Sequence, residues 1–251
     1  MVDALAGMDW GLFAIALVVG LVASIFGGIA GYGTGLILPI FLAPIVGITG
    51  VMPTLSLVMI MANLSRIAAF RRELQPRQAL MVMVGAVPAA AIGASIYAML
   101  SERAIAVVLA ITLIVTIPLR RALERLKFRL TDPGLVVGGG AFGLFAGATV
   151  GTGPILVAIL LAAGVAPASI VATDALVSIF VGLMRIGTFA LNDLYTPLLV
   201  LTGIAVGLSA VPGGFVARWI VARIPVKVHA TVIESVIVVG AILLLYKSIV
   251  G

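Results

Sequence analysis

Two arginines and an aspartate stand where charge is costly. Arg185 lies within VSIFVGLMRIGTFAL, with Asp174 eleven positions earlier in the same apolar stretch. Arg66 follows a run from Trp10 to Ser65 that holds no charged residue. A charged side chain at the centre of a bilayer costs ~2.5–3.5 kcal/mol on insertion scales, so such residues usually face a protein interior. A guanidinium fork suits a carboxylate, sulfite or sulfonate group, which it can hold by paired hydrogen bonds. The blander role for each arginine is to snorkel to an interface or anchor a helix end. Arg66, close to Arg71 and Arg72, fits that role better than Arg185, which has no basic cluster beside it.

Asp174 and Arg185 fall about 20° apart on one helix face, with Ser178 on the same stripe, but about 16 Å of rise separates them. Asp174 therefore needs another partner, or it carries a proton and becomes a proton-coupling candidate. A carboxylate favoured by the helix dipole after Pro167 is the alternative. Around Arg66, Ser56 and Asn63 lie within about 80° and form a milder polar stripe, which adds Asn63 to the binding candidates.

A second chemistry comes from backbone. Gly33-Thr34-Gly35 and Gly151-Thr152-Gly153 interrupt apolar runs, and fresh helices are expected after each, over 36–45 and 155–163. Backbone that leaves helical geometry at membrane depth must find partners in protein or in a watery cavity. Glycine permits the turn and lets a ligand approach the main chain. A helix N-terminus offers unpaired N–H groups and a positive dipole end, which favour an anion. Thr34 and Thr152 add hydroxyls, and Tyr32 is placed to line a pathway. The segments lack the lysine-serine/threonine ending of a phosphate-binding P-loop. Close helix packing is the competing use of these glycines.

The elements that position these groups are membrane spans. The 251 residues are 63% hydrophobic and 10% charged, with a mean hydropathy of +1.34. A soluble globule is about half apolar and about a quarter charged, so the chain reads as an all-α polytopic membrane protein. The net charge of +6 sits in short loops between spans, which points to topology rather than nucleic acid. With no cysteine and one histidine, His229, no metal site or cofactor is expected. MVDALAGMDW has no basic segment and does not read as a cleaved signal peptide. Trp10, Trp219 and Tyr246 read as interfacial aromatics.

The chain repeats itself. GTGLIL at 33–38 returns as GTGPIL at 151–156, and GLVA at 20–23 as GLFA at 143–146. Thr54, Arg66 and Phe70 match Thr173, Arg185 and Phe189 at one offset of 119. The halves are placed at 8–130 and 131–251, joined by a basic cytoplasmic linker around 120–132. Each holds a glycine-broken stretch (10–47; 134–164) and three long spans (51–70, 78–100 and 103–122; 168–190, 196–219 and 228–248). This makes eight to ten membrane segments. Arg71, Arg72 and Arg77 mark a cytoplasmic loop, whereas its counterpart LNDLYT has no basic residue. Ser101-Glu102-Arg103 is expected outside, while its counterpart carries Arg218, Arg223 and Lys227. The bias reverses between halves, as in inverted-topology repeats of secondary transporters. Inversion needs an odd number of net crossings per half; whether the broken segments cross fully or are re-entrant stays open at this level.

The double glycine break (GGIAGYGTGLILP; GATVGTGPILV), the helices beginning near Pro53 and Pro167, and the V-P-x-x-x-x-G helix at Val87–Gly93 resemble the TauE/SafE sulfite exporter family, of the four-toluene-sulfonate-uptake type. The resemblance covers nearly the whole chain. It implies a carrier in the bacterial inner membrane for small organic or sulfur-containing anions, such as sulfite, sulfonates or sulfoacetate, coupled to protons or the membrane potential. Gly33-Thr34-Gly35 and Gly151-Thr152-Gly153 match the family's glycine segments. Ile29, Ala30 and Tyr32 interrupt its usual glycine run, and Asp174 stands where a small polar residue is more usual. The partners expected are a small anion, membrane lipid and a second copy in a homodimer.

Two other classes compete. An intramembrane enzyme would need a base near a nucleophile, yet His229 lies near a span end, no G-x-S-x-G occurs, and Glu234 fits interfacial pairing with Lys227 or Arg223 better than a proton relay. A passive anion channel shares the features of a carrier and differs in kinetics.

Overall fold

The computed structural model describes residues 9–125 and 129–223. Their elements are helices: α1 (Trp10–Ala30), α2 (Thr34–Phe70), α3 (Pro76–Met99), α4 (Glu102–Arg125), α5 (Asp132–Ala148), α6 (Gly153–Ala162), α7 (Pro167–Leu191) and α8 (Pro197–Val221), with one 3-10 turn at Arg71–Glu73. Five of these helices are long and apolar enough to cross a membrane. The span expected over 228–248, with His229, Glu234 and Tyr246, lies outside the described residues, as do Lys127 and Lys227.

Local chemistry sets the helix limits. Asp9 caps α1, its Oδ1 accepting from the N–H groups of Gly11 (2.9 Å) and Leu12 (3.1 Å). Proline occupies the first turn of α3, α5, α6, α7 and α8, where its missing N–H costs nothing. Pro53, expected at a span start, lies inside α2 instead, six residues past a kink at Gly47 (φ 72°, ψ 163°) that divides α2 into a short and a long part. Gly164 (φ 79°) makes the equivalent break between α6 and α7.

Packed neighbours reveal how the helices run. The Ser209 hydroxyl donates to the Leu17 carbonyl (2.9 Å), and a methyl group on Gly213 would meet Ser24 at 2.6 Å, so α1 and α8 advance together. Gly203 faces the Thr54 carbonyl and Gly214 the Arg66 nitrogen, so the long part of α2 runs with them. α3 and α5 run parallel, with Gly85 against Gly140 and Gly93 against Ala148. α3 and α7 also share direction: the Gln75 N–H donates to Thr173 Oγ1 (3.2 Å) near their starts, and the Tyr97 and Phe189 rings meet at 5.5 Å near their ends. α2 and α7 are opposed, because Arg66 reaches Asp174 while Arg185 reaches Met52. Thus α1, the long part of α2 and α8 run one way, and α3, α5 and α7 the other.

Two ends follow. One gathers Arg71, Arg72, Arg77, Arg129, Arg218 and Arg223, tied by Arg77–Asp132 (2.6 Å) and Arg218–Glu73 (3.5 Å). The other holds Tyr97, which donates to the carbonyls of Ile48 and Thr49, and Tyr195, which donates to that of Pro53. α1 enters at this tyrosine end, and the short part of α2 returns to it. α5 enters at the arginine end, and α6 returns to it, the Leu130 N–H donating to the Ala162 carbonyl. Both glycine-broken segments are therefore hairpins inserted from opposite ends.

Small residues let the backbones approach. α3 and α5 meet through Gly85, Gly93, Gly139, Gly143 and Gly147, the close packing on which helices rely where lipid supplies no hydrophobic drive between them. The outer face of α3 presents Leu80, Val84 and Ile92, each more than half exposed, as suits lipid contact. Trp10 and Trp219, both exposed, sit at opposite ends of the bundle.

Candidate functional site

The tips of the two hairpins meet inside the bundle. Gly31 (φ 80°) closes α1 in the left-handed conformation, and Gly151 (φ 79°) adopts it between α5 and α6; a side chain would strain either turn. The tips interleave so tightly that a methyl group on Gly35 would lie 3.6 Å from the Gly151 nitrogen, and one on Gly153 would lie 2.7 Å from Tyr32 Cβ.

Between them lies a cavity of about 40 Å³. One water needs ~10–15 Å³ on this scale, so the space holds about three waters or a compact solute. Its walls include Tyr32, Gly33, Thr34, Gly35, Gly151, Thr152, Gly153, Arg66, Asp174 and Arg185. The other binding candidate, Asn63, is fully buried but absent from these walls, and both its amide atoms lack partners. Residues not singled out by sequence also line it, among them Leu55, Met59, Phe142, Ala146 and Thr149. Of these, Thr149 carried the clearest signal, since it lies in the second glycine segment. Ser178 is there as its stripe with Asp174 and Arg185 suggests.

Both arginines are interior. Arg66 is 1% exposed and Arg185 5% exposed, so neither snorkels to an interface. Arg66 Nη1 donates to the carbonyls of Gly27 (3.4 Å) and Gly31 (3.2 Å) and to Asp174 Oδ2 (3.4 Å). This supplies the partner that Asp174 lacks within its own helix. Arg185 Nη1 donates to the Ala146 carbonyl (3.0 Å), and its fork also reaches the sulfurs of Met52 (3.9 Å) and Met59 (4.0 Å). Among the described residues no carboxylate pairs with Arg185.

The two arginines perform one job twice. Each donates to backbone near the C-terminus of the hairpin helix in its own half, Arg66 to two carbonyls at the end of α1 and Arg185 to one on α5. There they offset the negative end of the helix dipole. The opposite, positive ends are those of α2 and α6, which start beside the cavity without side-chain caps. The electrostatic balance around the cavity is accordingly positive. The Thr34 hydroxyl is committed to the Ala23 carbonyl (3.2 Å), so what Thr34 offers the cavity is backbone. Thr152 makes no capping bond.

Outside the spans, in the α7–α8 loop, burial pushes the Tyr195 phenol up to about 12 while Arg185 pulls the other way. Its hydroxyl stays protonated and donates to Pro53 (3.2 Å).

The family model for the sulfite exporter TauE/SafE matches residues 16–244. The chain belongs to that family, a family of membrane transporters of sulfite and related anions rather than of enzymes. No curated protein and no solved structure matches the chain.

Proposed function

We propose that this TauE/SafE member is a secondary transporter of the cell inner membrane that carries a small organic or sulfur-containing anion through the cavity between the hairpin tips. Sulfite, sulfonates and sulfoacetate-like solutes are the candidate substrates. The observation that carries this reading is Arg185, a nearly fully buried guanidinium on the cavity wall with no acidic partner among the described residues. A buried cation without a counter-ion is costly, and an anion entering the cavity removes that cost.

The two halves act as inverted repeats. Support comes from direction: α1 and α5, the long part of α2 and α7, and α3 and α8 are counterparts, and each pair runs oppositely. Rocking one half against the other would open the cavity to either end in turn, as alternating access requires. The arginine-rich end faces the cytoplasm by the positive-inside rule. Asp174 is the proton-coupling residue. As a carboxylate it engages Arg66; a proton on it frees that guanidinium and leaves two cations facing the cavity.

The test is transport by purified protein in proteoliposomes. Saturable sulfite uptake that shows counterflow and responds to an imposed pH gradient is the expected result. Ohmic, non-saturating currents would replace the carrier by a channel.

A further inference from the structure

The two guanidiniums are equivalent by repeat but not by surroundings. At the offset that matches Arg66 to Arg185, Asp174 is matched by Leu55, and both Asp174 and Leu55 line the cavity. Because α2 and α7 run antiparallel, the register that puts Arg66 against Asp174 also brings Arg185 to the level of Leu55. One cation therefore has its carboxylate, and the other has a leucine in the equivalent place. With Asp174 ionised and paired to Arg66, the three charged groups on the wall sum to one positive charge: two guanidiniums less one carboxylate.

We propose that the cavity selects its occupant by charge and takes singly charged oxyanions, with Arg185 as the binding cation and the Asp174–Leu55 asymmetry as the determinant. This deepens the anion-site reading above and rests on it. A monoanion brings the enclosed charges to neutrality. A dianion leaves a net negative charge in a space whose other walls are apolar side chains, backbone and uncharged hydroxyls, and it shares that space with the carboxylate of Asp174. Like charges enclosed together in a poorly solvated interior repel strongly. For a sulfur oxyanion that exists in two charge states, the protonated, singly charged form is the one accepted, and of the candidates above the sulfoacetate-like solutes, which carry a sulfonate and a carboxylate, fall outside the selection. The size of the cavity adds a second filter, since about 40 Å³ admits a compact head group and no long substituent.

Methanesulfonate and sulfate are equal in heavy-atom count and differ by one unit of charge. Both are titrated against the purified full-length chain in detergent, with binding read by calorimetry. The wild type binds methanesulfonate more tightly by about tenfold or more, a ratio set by one like-charge contact in a low-dielectric site. Asp174→Asn raises the charge of the wall by one and shifts the preference toward sulfate by about tenfold. Leu55→Asp supplies Arg185 with a carboxylate and weakens methanesulfonate by about tenfold or more, whereas the uncharged Leu55→Asn does not. The Leu55 pair decides the matter if Asp174→Asn fails to fold. Equal binding of both anions by the wild type overturns charge selection while the anion site stands. A Leu55→Asp variant that behaves like Leu55→Asn overturns it in the same way. Binding of neither anion, or binding indifferent to Arg185→Ala, overturns the site itself.

Discussion

Arg66 and Asp174, 108 residues apart, meet at 3.4 Å inside the bundle and join the two halves of the chain by a buried ion pair. Each is at most 3% exposed at its side chain. Breaking a buried pair by removing one partner leaves an uncompensated charge and costs about 3–5 kcal/mol. Arg66→Ala is therefore expected to lower the melting temperature in detergent strongly. Replacing both partners with apolar residues of similar size, Arg66→Met with Asp174→Leu, recovers most of that loss. Equal melting of the single and double variants would show that the pair contributes nothing.

Arg185→Ala removes the cation assigned to the anion. Transport in proteoliposomes falls by on the order of 100-fold, the scale on which truncating a buried charged partner acts. Arg185→Lys keeps the charge but loses the fork that reaches Ala146, and it recovers only part of the rate. Wild-type transport in Arg185→Ala would remove the assignment.

Asp174→Asn separates the proton from the anion. Wild-type uptake of methanesulfonate, whose charge does not change with pH, accelerates when the compartment supplying the anion is acidified, because protonation of Asp174 frees Arg66. In the variant that acceleration disappears, and uptake follows the anion gradient and the membrane potential alone. Rates measured against imposed pH gradients check this; an unchanged response assigns the proton elsewhere.

Gly153→Ala pushes a methyl group into Tyr32 Cβ, 2.7 Å away, at the point where the tips interleave. Overpacking of this kind costs roughly 1–3 kcal/mol, and it displaces the cavity wall as well. Both stability and transport should drop. Adding Tyr32→Gly removes the obstructing Cβ and recovers part of the lost stability, which a thermal melt reads directly.

The chain contains no cysteine, so single introduced cysteines report topology cleanly. Arg72→Cys and Arg223→Cys are expected to be labelled from one face by an impermeant maleimide. Ser101→Cys and Asn192→Cys are labelled from the other. Labelling of Arg72→Cys and Arg223→Cys from different faces would contradict the direction of α8.

The sequence made the glycine-threonine turns legible because they interrupt apolar runs and occur twice. Arg185 stood out for a related reason, having no basic neighbours to explain it. Arg66 was harder, since Arg71 and Arg72 offered it an ordinary place at an interface. Its true surroundings depend on Asp174, and no local pattern links residues so distant along the chain. The repeat offset held a partial signal, because it pairs Asp174 with a leucine and so marks a carboxylate present in one half only. Asn63 shares a helical stripe with Arg66, but the stripe is wider than the cavity, and packing turned the amide away from it. The hairpin character of 10–47 rested on where its second helix ended. That depended on the kink at Gly47, which composition does not distinguish from a helical glycine.

Because the two hairpin tips come in from opposite ends, the route to their meeting point from either end is only part of the bilayer thickness. On the transport reading proposed above, a solute resting there would have traversed part of the voltage drop, each half of which is worth on the order of 1 kcal/mol per charge at about 100 mV. Anion affinity measured from one side of an energised membrane is thus set partly by the electric field, and a cell could load or empty this protein by changing its polarisation alone.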